Sequence, residues 1–130
     1  MLTNKGFAAI TPVIVIGALI LTLANGTVLR VRTQILTGIK NMAEEKALGL
    51  ANACAEIAIG KLQTIFGYNG NEMVTLAGII CEILPITGSG NHNRTVITQG
   101  SVGSTIKKIR VIITQISFPT KISSWGEITD

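Results

Sequence analysis

Residues 7–29 read FAAITPVIVIGALILTLANGTVL, and this stretch of the 130-residue chain contains no Asp, Glu, Lys, Arg or His. At about 1.5 Å rise per residue, a helix of this length spans the roughly 30 Å hydrocarbon core of a bilayer. A short leader containing Lys5 precedes the stretch, and Arg30 and Arg32 follow it. The sequence therefore predicts a membrane-compatible helical segment that ends close to Leu29.

The chain keeps a helical pattern beyond the apolar stretch. Thr11 and Pro12 are expected to begin the helix, because proline is tolerated in a first turn. The glycines and asparagines of residues 67–71 are expected to end it. The pattern predicts one helix of about fifty residues, apolar in its first half and amphipathic in its second. Its apolar positions recur at intervals of three and four residues, at Leu48, Ala51, Ala55, Ala58 and Leu62.

The chain beyond residue 71 has the composition of β-strands. Three or four short strands joined by tight turns predict an antiparallel meander with one face to bury. The second half of the helix is the available partner, so the predicted fold class is α+β. Residues 117–130 are expected to form an extended tail in which Trp125 packs back onto the sheet. The segments rich in Ile, Val and Thr are residues 73–76, 79–86, 94–100 and 105–116.

The two cysteines, Cys54 and Cys81, are too far apart in sequence to form a CxxC motif. If the body of the protein is exported, it enters an oxidising compartment, where a disulfide is the expected state. Both cysteines have apolar neighbours, so two buried thiols are the alternative. Export favours the disulfide.

Charge gives little support for nucleic acid as a partner. Residues 30–130 contain ten Lys or Arg and seven Asp or Glu, a net charge of only +3. The one local cluster is Lys107, Lys108 and Arg110, which alternates with Ile106 and Ile109. We expect a solvated strand face here, with contact to DNA as the less favoured interpretation.

The sequence contains no enzyme signature, and it predicts neither a catalytic site nor a cofactor or metal. His92 is the only histidine, and it lies in a Gly- and Asn-rich turn without a cysteine or carboxylate at ligand spacing. The glycines at 100 and 103 lie between two predicted strands and lack the helix and lysine of a phosphate-binding loop.

The N-terminal pattern resembles that of the type IV pilin and pseudopilin superfamily. The matching features are the Lys5-Gly6-Phe7 junction, the apolar run to Leu29, and a helix that continues onto an antiparallel sheet. The resemblance implies a leader of residues 1–6, which a prepilin peptidase removes between Gly6 and Phe7 before methylating the new amine. It further implies that residues 7–29 form the membrane and filament-core segment, and residues 30–130 an extracytoplasmic region.

The resemblance also implies a cellular location and a set of partners. Such a subunit waits in the inner membrane, and a pilus assembly platform then lifts it into an extracellular filament of pilin subunits. Asn25-Gly26 is a candidate hinge, since pilins often lose helix there. Most members carry glutamate where this chain has Thr11, followed here by Pro12, which suggests a minor or tip subunit of a type IV pilus or type II secretion-like filament.

Two alternatives remain open from the sequence. A conventional signal peptide would be cut after Ala24-Asn25-Gly26, leaving a secreted domain that begins at Thr27. An uncleaved single-span anchor would hold an extracytoplasmic binding domain at the membrane. A DNA-binding minor pilin, using Lys107, Lys108 and Arg110, is a weaker variant of the pilin interpretation.

Overall fold

A computed structural model describes residues 2–129 and confirms the α+β class. The chain divides into two compact units, the first ending at Ile39 and the second beginning at Lys40. All the strands belong to the second unit. Within residues 2–129 the elements are one helix and five strands, α1 (Leu2–Thr64), β1 (Glu72–Leu76), β2 (Ile79–Ile83), β3 (His92–Val102), β4 (Thr105–Gln115) and β5 (Lys121–Ile128).

Helix α1 is longer than the sequence pattern predicts. It has 63 residues and begins at Leu2, so the expectation that it starts at Thr11 and Pro12 is wrong. Pro12 lies inside the helix, where it lacks the N–H that would bond to the carbonyl of Ala8. In an apolar segment, the helix still satisfies the remaining backbone groups better than any open conformation does.

The five strands form one antiparallel sheet in sequence order, which confirms the predicted meander. Ala77 and Gly78 both have positive φ and connect β1 to β2 in a two-residue turn. Gly103 has positive φ in the two-residue turn between β3 and β4. Residues 84–91 connect β2 to β3, and residues 116–120 connect β4 to β5. Every strand therefore pairs with its neighbour in the sequence.

The C-terminal residues are a strand rather than an extended tail. β5 pairs along β4, with Val111 opposite Trp125. The indole Nε1 of Trp125 donates a hydrogen bond to Oδ1 of Asn52 on α1, at 2.8 Å. The predicted return of Trp125 to the body of the protein is thus present, although it arrives on a fifth strand.

The core of the second unit lies between one face of α1 and one face of the sheet. The helix contributes small residues, and the sheet contributes larger aliphatic side chains that alternate with outward-facing residues. Small residues on the helix allow its backbone to approach the strands closely. The fully buried members are Ala47, Ala51, Cys54, Ala55, Ala58 and Leu62 from the helix, with Cys81, Ile83, Val96, Val111, Ile113 and Ile116 facing them.

Gly100 marks the closest approach of helix and sheet. A Cβ placed on Gly100 would collide with the carbonyl oxygen of Ala47 and would lie 2.8 Å from the amide nitrogen of Ala51. Two residues earlier on β3, buried Thr98 donates from Oγ1 to the carbonyl oxygen of Ala51 at 2.6 Å. A glycine and a short hydroxyl side chain therefore set the distance of α1 from β3.

Replacing Gly100 with alanine should destabilise the second unit by about 2–3 kcal/mol, because the new methyl group meets helix backbone that cannot rotate away. Gly126→Ala is the matched control, since a Cβ at this other strand glycine meets no atom within 4 Å. Chemical denaturation of the detergent-solubilised chain, followed by fluorescence of the single Trp125, measures both. Equal stability of the two variants would contradict the close approach.

Candidate functional site

The most extensive exposed feature of the chain is the apolar surface of α1 between Ile10 and Met42. Every large aliphatic side chain on it is at least 51% exposed. We call this set the apolar helix surface. Its members are Ile10, Val13, Ile14, Val15, Ile16, Leu19, Ile20, Leu21, Leu23, Val28, Leu29, Val31, Ile35, Leu36, Ile39 and Met42.

The helix is long and apolar enough to cross a membrane. Its threonine hydroxyls bond to carbonyls of the same helix, as Thr22 does to Leu19 at 2.8 Å and Thr33 to Leu29 at 3.0 Å. Thr27 and Thr37 do the same. These polar side chains therefore place no unsatisfied hydroxyl in an apolar environment, and the chain fits a single-pass membrane anchor.

The predicted processing site lies near the beginning of α1. Helix continues across the bond between Gly6 and Phe7, while the side chains of residues 1–7 lie outside the part of the chain that is described. Thr11 and Pro12 follow one turn later, and both are exposed on the helix. Gly6, Phe7, Thr11 and Pro12 thus all lie within about the first three turns of α1.

The candidate hinge at Asn25-Gly26 is helical in this state. A Cβ on Gly26 would meet no atom within 4 Å. Gly26 lies in a shallow notch beside Leu23, Thr27 and Arg30. Because Gly26 has no side chain, the helix is narrower at this position, while it remains helical.

Cys54 and Cys81 form a disulfide that joins α1 to β2. Their Cα atoms are 6.3 Å apart, and both residues are buried. Cys81 lies opposite Gly100 in the register of β2 and β3. The covalent link therefore lies beside the close approach of helix and sheet and holds the next turn of the helix.

The basic cluster on β4 is divided between the two faces of the sheet. Lys107 lies on the helix-facing side with Ile109, and its Nζ forms an ion pair with Glu127 at 2.7 Å. The hydrogen bond to Glu127 raises the pKa of Lys107 above its ordinary value. Lys108 and Arg110 lie on the opposite face, so the three cations do not form one patch. The strict alternation of a strand was a sufficient signal for this separation.

Sequence reasoning did not identify Arg94, which is 1% exposed. Its guanidinium donates to the carbonyl oxygens of Phe66 at 2.8 Å and Tyr68 at 3.0 Å, just beyond the end of α1. It also donates to Thr87 and Gly90 at 3.3 Å. These four carbonyl oxygens take the place of the water molecules that would solvate an exposed guanidinium. Two of them, from Phe66 and Tyr68, follow the C-terminal end of α1, where the helix dipole favours a cation.

A second cluster of side chains that the sequence did not predict, Lys61, Tyr68 and Glu72, lies beside the C-terminal end of α1. Lys61 and Tyr68 both donate to Oε1 of Glu72, and the Lys61 ammonium lies 5.4 Å from the centre of the Tyr68 ring. Hydrogen bonds from Lys61 and then Tyr68 lower the pKa of Glu72. Burial and the neighbouring carboxylate raise the pKa of the Tyr68 phenol. The group fastens the first strand to the last turn of α1.

Within residues 2–129, no three His, Cys, Asp or Glu side chains come close enough together to hold a metal ion. The largest described feature that remains without a partner is the apolar helix surface. Comparisons of the chain with protein-family models, with curated proteins and with solved structures found no match.

Reduction of the Cys54–Cys81 bond should lower the free energy of unfolding by roughly 3–4 kcal/mol, the chain-entropy value for a loop of this size. The bond closes a loop with a sequence separation of 27 residues. Urea unfolding of the oxidised and reduced wild-type chain isolates the cross-link, because no side chain is replaced. The Cys54→Ala/Cys81→Ala variant then reports the additional effect of lost packing. Equal midpoints for oxidised and reduced protein would contradict the stabilising role.

Proposed function

We propose that the protein is a structural subunit of a type IV pilus or a type II secretion-like filament. In this proposal the prepilin peptidase cuts between Gly6 and Phe7, and the subunit is held in the inner membrane by its helix. The assembly platform then transfers it to an extracellular filament of pilin subunits. The observation that carries the proposal is the length of the apolar helix surface.

The apolar helix surface is longer than one bilayer can cover. Residues 8–29 extend for about 33 Å, which already fills a hydrocarbon core of about 30 Å. Exposed aliphatic side chains continue beyond it, at Val31, Ile35, Leu36, Ile39 and Met42. These residues extend the apolar surface by about 20 Å outside the membrane.

A different position of the helix along the bilayer normal does not bury these additional apolar residues without a cost. A bilayer centred closer to Met42 would hold Arg30 and Arg32 within its hydrocarbon. On biological insertion scales, an arginine at the centre of a transmembrane helix costs about 2.5–3.5 kcal/mol. The two arginines therefore favour a bilayer boundary close to residue 30, with residues 31–42 outside it.

Packing of helices against one another would bury the excess surface. In a filament, residues 8–42 of one subunit would contact the same region of other subunits, and burial of apolar area would stabilise the assembly. A simple single-span anchor leaves Ile35, Leu36 and Met42 in water. A secreted domain beginning at Thr27 leaves the same side chains in water and lacks the membrane segment as well.

Thr11 supports a minor or tip position within such a filament. Its hydroxyl can take part in hydrogen bonds, but it carries no charge to offset the amine of a neighbouring Phe7. A subunit with no neighbour above it does not need that charge. We therefore propose a low-copy subunit rather than the main component of the filament.

The protein recovered from its own cells should begin at N-methylated Phe7. Intact-mass measurement together with N-terminal sequencing tests this directly. Chains that begin at Thr27 would instead establish a conventional signal peptide. Chains that retain Met1 in isolated filaments would contradict processing, while Met1 in membranes alone would indicate precursor.

Polar substitution in the excess surface should reduce assembly while leaving membrane insertion intact. We expect Ile35→Ser/Ile39→Ser to lower the amount of protein in the sheared filament fraction at least about tenfold, since two buried aliphatic contacts would be lost. Immunoblots of filament and membrane fractions measure both effects. Ile106→Ser is the control, because this sheet residue is 54% exposed, close to the 57% of Ile35. Undiminished filament incorporation of the double variant would contradict the proposal.

A further inference from the structure

The end of the second unit at which α1 terminates carries three exposed large apolar residues. Ile65 is 60% exposed, Phe66 is 48% exposed, and Phe118 is 96% exposed. Gln63 donates from Nε2 to Oγ1 of Thr120 at 2.7 Å, which places the Phe118 loop beside the last turn of the helix. We call Ile65, Phe66, Phe118 and Lys121, which follows Phe118 by three residues in the sequence, the distal cluster.

The loop that presents Phe118 is fixed by hydrogen bonds. The amide of Ser117 donates to Oδ1 of Asn91 at 2.7 Å, and the amide of Ile116 donates to the Asn91 carbonyl at 2.9 Å. Thr120 donates from Oγ1 to the Ile116 carbonyl at 2.8 Å. The phenylalanine side chain is therefore held in water on an ordered turn, so little loop entropy remains to be lost when it binds.

The segments that carry the distal cluster are poor in acidic residues, and residues 57–71 contain none. Residues 83–126 contain neither Asp nor Glu. Glu72, at the beginning of β1, accepts hydrogen bonds from Lys61 and Tyr68. Lys121 is exposed three residues after Phe118. The cluster thus combines aromatic and aliphatic side chains with a cation and presents no free carboxylate.

We propose that the distal cluster binds the surface of an anionic lipid bilayer, with Phe118 inserted below the headgroups and Lys121 at the level of the phosphates. Aromatic and aliphatic side chains beside a lysine match the boundary between acyl chains and anionic headgroups. The absence of carboxylates removes the repulsion that an anionic surface would otherwise meet. This proposal does not rest on filament assembly, since it concerns a surface of the second unit alone.

The test uses the full chain in phosphatidylcholine nanodiscs, so that α1 is already in lipid. Separate target vesicles contain phosphatidylcholine with about one fifth phosphatidylserine, and co-flotation of the nanodiscs measures binding. Phe118→Ser should weaken binding at least about tenfold, because the inserted side chain is lost. Lys121→Gln should weaken it by about fivefold, and only when phosphatidylserine is present.

Ile80→Ser is the matched control, since Ile80 is 51% exposed but lies on β2 next to the turn at Gly78. It should leave flotation unchanged. Trp125 fluorescence during denaturation verifies that each variant is folded. Absence of flotation with anionic vesicles would overturn the proposal, and so would equal loss in the Phe118 and Ile80 variants. Pairing of nanodiscs with one another without vesicles, abolished by Phe118→Ser, would also overturn it in favour of a second copy as the partner.

Discussion

The second unit depends on how closely α1 can approach β3. Gly100 has no side chain where the carbonyl of Ala47 passes, and Thr98 supplies a short hydroxyl to the carbonyl of Ala51. This contact fixes the helix over the central strand of the sheet. The Cys54–Cys81 bond and the contact between Trp125 and Asn52 then hold the helix from either side of β3. Small helix residues are required at this interface because larger ones would separate the two layers.

The main architecture was predictable because its signals are local. Apolar positions at helical spacing in residues 48–62 indicated the buried helix face, and runs of Ile, Val and Thr separated by glycine indicated the meander. β5 was missed because residues 121–128 read KISSWGEI, in which serine and glycine interrupt any alternation. That strand forms because β4 offers an edge for pairing. The predicted start at Thr11 and Pro12 rests on the preference of proline for the first turn of soluble helices. In this apolar segment Pro12 instead lies inside the helix.

The polar contacts were less accessible from the sequence. Arg94 lies among β-branched residues, where an arginine normally indicates a solvated strand face. Its partners are backbone carbonyls near residues 66–68 and 87–90, which come together only in the folded unit. No residue type identifies a carbonyl as a partner, so this site has no sequence signature. Lys61, Tyr68 and Glu72 are different, since the short loop between helix and sheet brings them close and could have indicated a contact.

The strand order has a consequence for the time course of folding. Every pairing in the sheet joins neighbours in sequence, and such local contacts generally form fast. The contacts that attach sheet to helix join residues far apart, and the last of them, between Asn52 and Trp125, requires the final strand. During synthesis from the N-terminus, the buried face of α1 is covered in steps as β2, β3 and β4 emerge, and the contact between Asn52 and Trp125 forms only after β5. The hydrogen bond from Trp125 to Asn52 is therefore the last of the contacts that join the sheet to α1.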